Sequence, residues 1–201
     1  MINDPYVIPG TSVLRNKLGL KHRKSLDRAE RLLTTQRATE NIPVGKFDLA
    51  HLKAIHKHLF QDVYEWAGAI RTVEISKDGN QFQFRQYIET GMSDVHKRIV
   101  EAKFFRRSTI QNFANKVGPI IGDINYCHPF REGNGRTQLI YLQQLAARAG
   151  HRLDLRHIEP SNWIDASKHA HHGNYGPMID AIRIALIKSQ PPKKDKNLGR
   201  G

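Results

Sequence analysis

Nine residues limit what this chain can become more than any other stretch. His128-Pro129-Phe130-Arg131-Glu132-Gly133-Asn134-Gly135-Arg136 stands between two segments of strong helical periodicity. Before it, Ile110, Phe113, Ala114, Val117, Ile121 and Ile124 fall on one helical face. After it, Leu142, Leu145, Ala146 and Ala149 form a second buried face, and Gly150 supplies the stop. Pro129 forbids simple continuation of the first helix, and the second is expected to begin inside the run. The remaining patterns are also helical. Asp48 is an N-cap residue type ahead of Leu49, Leu52, Ile55 and Leu59 on one face, and shorter patterns occupy 25–39, 86–103, 161–171 and 176–188. The expected class is all-α.

One segment departs from that rule. Arg71-Thr72-Val73-Glu74-Ile75-Ser76 alternates apolar and polar residues, Lys77-Asp78-Gly79-Asn80 carries turn chemistry, and Gln81-Phe82-Gln83-Phe84 alternates again. That is a hairpin signal. A lone hairpin among helices has no sheet to complete, so an edge stays free. It either covers the core or offers a docking edge to an extended peptide, and the residues leave both readings open.

The nine-residue run carries chemistry. Gly133 and Gly135 allow backbone angles at which successive N–H groups converge on an anion. The helix that begins there adds its unpaired N–H groups and the positive end of its dipole. Arg136, in the first turn, can make a charge-assisted fork to phosphate oxygens. Glu132 would repel a phosphate ligand unless a divalent cation stood between them, and Mg²⁺ suits one carboxylate plus phosphate oxygens. His128, a residue type whose unperturbed pKa lies near neutrality, suits the removal of a proton from a hydroxyl. Phe130 reads as a core anchor and Cys127 as a small buried residue. A glycine-rich loop or a single histidine means little alone; the combination within nine residues is what raises the signal.

The bulk properties bound the setting. The chain has 201 residues, enough for one domain. Its apolar runs are far short of a bilayer span, and the first residues lack a signal-peptide pattern. A lone cysteine precludes an internal disulfide and fits a reducing compartment, so a soluble cytoplasmic protein is expected. The net charge of +13 could serve an anionic nucleotide or an acidic partner. Part of it lies in Lys193-Lys194-Asp195-Lys196 and Arg200, a segment read as a basic, disordered tail over 191–201. The basic stretches lack aromatic interleaving or zinc-finger spacing, so nucleic acid binding rests on charge alone and is not expected.

Through Arg136 the run resembles the Fic family signature, His-x-Phe-x-(Asp/Glu)-Gly-Asn-Gly-Arg-x-x-Arg. Gly45-Lys46-Phe47-Asp48 with His51-Leu52, Ile55-His56 and Leu59-Phe60, and then Asp62-Val63-Tyr64-Glu65-Trp66-Ala67-Gly68 with Arg71, are similar to the helix and flap approach of that family. The resemblance implies a single Fic domain over 1–190, with a hairpin flap at about 71–84 above an active-site loop at 128–136. It implies transfer of AMP from ATP to a Tyr, Ser or Thr hydroxyl of a target protein. In that scheme His128 is the general base and Glu132 holds Mg²⁺. Gly133, Asn134 and Gly135 stabilise charge on the α-phosphate, and Arg136 steadies the β-phosphate. Ile75, Ser76 and Lys77 align the target by strand pairing, Lys77 also counts with the nucleotide-binding set, and Asn174 borders the base.

Leu139 departs from the signature, which has a second Arg there. That puts the contact to the terminal phosphate in question, and with it the donor nucleotide. Relatives often carry an inhibitory pattern, (Ser/Thr)-x-x-x-Glu-(Gly/Asn). Glu40-Asn41 lacks the required residue at Gln36, and Ser25 with Glu30 is out of step. A toxin-like protein restrained by a separate small antitoxin is the resulting expectation; relatives of that type modify ATPase subunits of type II topoisomerases. Competing readings are a degenerate domain that binds a nucleotide or partner without turnover, and a metal hydrolase built on His169, His171 and His172. Adjacent His171 and His172 cannot share a helical face, and no carboxylate completes a zinc set.

Overall fold

The computed structural model describes residues 4–190. Within them the chain forms α1 (Arg23–Arg37), α2 (Leu49–Phe60), β1 (Ser76–Lys77), β2 (Asn80–Gln81), α3 (Ile88–Glu101), α4 (Ile110–Cys127), α5 (Asn134–Ala149), α6 (Pro160–His171) and α7 (Gly176–Ser189), with three short 3-10 turns between them. The all-α reading holds. The expected tail at 191–201 lies outside the described residues.

Helix boundaries follow local chemistry. The Asp48 side chain accepts the His51 N–H at 2.8 Å to open α2, and Thr109 accepts the Asn112 N–H at 3.2 Å to open α4. Gly150, at φ 95°, closes α5 in the left-handed region. Helix α4 is the axis of the molecule. Its apolar face, including Phe113, Val117, Ile121 and Ile124, is fully buried, and α3, α5, α6 and α7 all pack against it. Helix α7 comes closest where α4 has no side chain. A Cβ at Gly118 would stand 2.5 Å from Ile179, and one at Gly122 would stand 2.7 Å from Tyr175.

The hairpin is real but shorter than its alternation predicts. Only Ser76↔Gln81 and Lys77↔Asn80 pair, antiparallel, around Asp78 and Gly79, both at positive φ as a tight hairpin turn requires. Beyond the Phe82 N–H, which donates to the Ile75 carbonyl at 3.2 Å, the outer arms, 71–75 and 82–84, are joined by a guanidinium. The Arg71 side chain is fully buried. It donates to the carbonyls of Val73 at 2.7 Å and His128 at 2.9 Å, and to that of Gln83. Glu74 sits 3.2 Å away, and the Arg71 N–H donates to the Pro129 carbonyl at 2.9 Å. One side chain therefore fastens both arms of the flap to the loop between α4 and α5. Replacing Arg71 by Met leaves those carbonyls buried without donors. Thermal or urea denaturation is expected to show a loss of about 2–4 kcal/mol, and amide exchange is expected to quicken in the flap before the helices.

Candidate active site

His128 ends α4 in a left-handed conformation, φ 43°, ψ 60°, uncommon for a residue with a side chain. Its N–H still caps the helix on the Ile124 carbonyl at 3.1 Å. The sharp turn brings Nδ1 to 3.1 Å from the Asn125 carbonyl. A carbonyl only accepts, so Nδ1 carries the proton and Nε2 keeps its lone pair. The Phe82 ring from the flap lies over the imidazole, with centroids 3.8 Å apart and planes 19° from parallel. Burial drives the His128 pKa down to about 4, opposed by the Asn125 hydrogen bond and aided by the positive charges of Arg71 and Lys77. The residue is a neutral base with a fixed tautomer at ordinary pH.

The loop that follows is locked from within. Phe130 is fully buried and stacks on His56 at 3.9 Å. Asn134, buried at the start of α5, accepts the Phe130 N–H at 2.9 Å and donates to the Phe130 carbonyl at 2.7 Å. Both polar atoms of the Asn134 side chain thus hold the loop closed, while the residue itself still borders the cavity beside His128. His56 supports the same turn from α2. Its Nδ1 accepts the Gly68 N–H at 2.8 Å, so Nε2 carries the proton and donates to the Glu132 carbonyl at 3.0 Å. Burial lowers its pKa to about 4 as well.

The two glycines have different reasons to be glycine. Gly133 has φ 81°, and a Cβ there would meet the Phe60 ring at 2.3 Å. Gly135 has helical backbone, and a Cβ there would meet nothing within 4 Å. The fold demands the first glycine but not the second. What Gly135 keeps clear is the cavity floor, over the first turn of α5, whose N–H groups lack helical acceptors. The Gly133 N–H is engaged by the Glu132 carboxylate at 2.9 Å.

Arg136 is likewise engaged within the protein. Its guanidinium is bonded to the Glu30 carboxylate of α1, lies 3.2 Å from the Thr34 hydroxyl and sits 4.7 Å above the Phe60 ring. Glu132 is 3.8 Å away, and Tyr64 donates its hydroxyl to Glu30. The arginine expected at the β-phosphate is thus turned toward α1. Glu30 stands one residue out of step with Ser25 for the inhibitory pattern. Its 106-residue separation from Arg136 leaves no local signal for the pair.

A cavity of ≈ 660 Å³ gathers His128, Glu132, Gly133, Gly135 and Lys77, with α6 forming the far wall. Ile75 and Ser76 also border it, and Lys168 of α6 ties the flap tip through Asp78 at 3.4 Å. Asn174 does not line this cavity; its side chain accepts the Gly176 N–H at 3.2 Å and shapes the start of α7. Leu139 packs, partly buried, against the core. Cys127 is buried, its thiol pushed up to about 12 by desolvation. His171 contacts Phe82 and Tyr126 edge-on. Among the described residues no three His, Cys, Asp or Glu side chains gather as a metal cage. Glu132, half exposed beside the cavity, is a single carboxylate that fits Mg²⁺ arriving with phosphate oxygens.

The Fic/DOC family profile matches residues 46–146, which include α2, the flap and the loop. The chain belongs to the Fic/DOC family. Among its Fic relatives, a probable protein adenylyltransferase, y4lH of Sinorhizobium fredii, is 39% identical over 183 residues, spanning 90% of this chain and 95% of that protein. The protein adenylyltransferase VbhT of Bartonella schoenbuchensis is 39% identical over 189 residues, covering 92% of this chain and 40% of that longer protein. Among solved Fic structures, BepC of Bartonella tribocorum with bound AMPPNP superposes with a TM-score of 0.81 at 26% identity, over 90% of this chain and 95% of that one. A Fic domain of Bartonella quintana with bound ADP gives 0.82 at 27% identity, over 90% and 93%.

Two outcomes follow from this Fic loop. Gly135→Ala is expected to leave thermal stability unchanged or raised by up to about 1 kcal/mol, as helix propensity favours Ala, while abolishing nucleotide binding by calorimetry. Gly133→Ala is expected to destabilise the fold outright. His56 and His128 accept a proton near 6.5 when unfolded but only near 4 when folded. Their contribution to stability is complete above pH 6.5 and lost as pH falls toward 4. Melting temperatures measured across that window should drop, and His56→Gln should flatten the slope.

Proposed function

We propose that this protein is an adenylyltransferase that moves AMP from ATP to a Tyr, Ser or Thr hydroxyl of a target protein. The observation that carries this reading is His128. It is a neutral imidazole with its proton fixed on Nδ1 by Asn125, lining the same cavity as the bare first turn of α5. The names of the relatives and the nucleotides in the solved Fic domains support the same reaction class.

In the reaction the target hydroxyl gives its proton to His128 Nε2 as its oxygen bonds to the α-phosphorus. The bond from the α-phosphorus to the bridging oxygen breaks, and pyrophosphate leaves with the electron pair. The N–H groups at the start of α5 meet the negative charge of the α-phosphate. Glu132 would hold Mg²⁺, which supplies charge neutralisation between phosphates when bound. Only Oε1 of Glu132 accepts the Gly133 N–H, so the second carboxylate oxygen is available to the metal without loss of that hydrogen bond. The flap edge at Ile75, Ser76 and Lys77 would set the extended target segment beside the base, and Phe82 fixes how far that edge stands from it. A separate small antitoxin is the proposed restraint, since the chain lacks the inhibitory pattern.

The reading is tested by labelling a bacterial lysate with α-³²P-ATP and Mg²⁺. Wild type is expected to label a protein band; His128→Ala is expected to lower the rate by about 100-fold or more, and label in the γ position should give no band. A band that persists in His128→Ala would sink the assignment. A band the size of a type II topoisomerase ATPase subunit would support the toxin-like target class.

A further inference from the structure

The active-site cavity has a neighbour. A second cavity of ≈ 730 Å³ lies between α1, the loop and the start of α6, with Glu30 and Arg136 in its wall. The two share four residues: Arg23, Arg131, Glu132 and Ile164. Glu132, the candidate metal carboxylate, thus stands at the junction of the two cavities.

The cations around the two cavities are not equally available. Arg131 is held by Asp4 at 2.9 Å and Lys168 by Asp78 at 3.4 Å, and Arg136 is bonded to Glu30. Among the described residues Lys77 and Arg31 have no carboxylate within 4 Å, and Arg23 has only a loose one. Lys77 borders only the first cavity and Arg31 only the second, whereas Arg23 borders both. Its one acidic neighbour is Asp27 at 3.9 Å, with both side chains well exposed, a pairing worth at most about 1 kcal/mol. The guanidinium of Arg23 is therefore free to turn to another anion. Glu132 lies at the junction and Asp27 in the wall of the second cavity, so a polyphosphate could not rest there without a cation to offset them.

We propose that Arg23, at the start of α1, grips the pyrophosphate end of the donor nucleotide at the junction of the two cavities. The assignment rests on the adenylyltransferase reading and adds the group that binds the leaving end. As the bridging bond breaks, its electron pair passes to the pyrophosphate while the hydroxyl proton goes to His128. A planar guanidinium can meet two of the pyrophosphate oxygens at once. Charge on that group grows toward the transition state, so the contact lowers the barrier as well as strengthening binding. It also gives the chain a phosphate-tail cation on α1, far in sequence from Leu139.

The test is calorimetry of the full chain with AMP and with ATP, each with Mg²⁺, for wild type, Arg23→Gln, Arg23→Lys and Lys24→Gln. Lys24 is a neighbouring cation outside both cavity walls and controls for general charge. Arg23→Gln is expected to weaken ATP about tenfold or more and AMP less than about twofold, with partial recovery in Arg23→Lys and no change in Lys24→Gln. Unchanged melting temperatures will show that the fold is intact. Equal effects on AMP and ATP, no effect on either, or the same loss in Lys24→Gln would overturn the assignment to Arg23 and leave the adenylyltransferase reading standing. Failure of the wild type to bind ATP at all would overturn both.

Discussion

Arg71 carries more of this architecture than its single charge suggests. Its guanidinium satisfies carbonyls from both arms of the flap and from His128, and its own N–H reaches Pro129. A buried cation needs such a shell, because each missing acceptor would leave charge desolvated. The carbonyls need the cation equally, since short arms without a ladder have few donors to offer. The base, the flap and the turn between α4 and α5 therefore form one unit, and their spacing does not depend on the two hairpin residue pairs.

Around that unit the site satisfies itself. Glu132 occupies the Gly133 N–H, Glu30 occupies Arg136, and Asn134 closes on Phe130. These contacts fall into two kinds. The Asn134 clamp is buried and reciprocal, and its loss would open the loop. The Glu132 contact is half exposed and uses a single carboxylate oxygen, so it can exchange at little cost. The Glu30–Arg136 pair lies between these extremes. It also recruits Tyr64 and Thr34 and joins α1 to the start of α5, so α1 belongs to the active-site wall and is more than a cover for the core.

How far this was legible follows the range of each interaction. Asp48, Thr109 and Gly150 announce helix ends through contacts within a few residues, and the face of α4 is written in its apolar spacing. The same holds for His128, Gly133 and Gly135, whose local geometry makes the turn and the bare helix start. The strands are shorter than the period-two alternation in 71–76 and 82–84 suggests, because Arg71 points inward and takes up carbonyls of both outer arms. Asn134 and Arg136 share a motif with the site, yet their partners are chosen by packing: Phe130 within the same turn, and Glu30 on a helix more than a hundred residues earlier. Asn174 has no place in the cavity because its side chain is used at the next helix start.

The flap is fixed at its root by Arg71 and held at its tip by an exposed ion pair between Asp78 and Lys168. Main-chain pairing along such an edge carries little information about the partner's side chains. What it does carry is length. With Phe82 stacked on His128, a segment docked on this edge as proposed would find the hairpin a ruler whose zero is the imidazole, set by how far a hydroxyl stands from the backbone that brings it. Selection among partners would then fall to reach and exposure of a segment more than to its sequence.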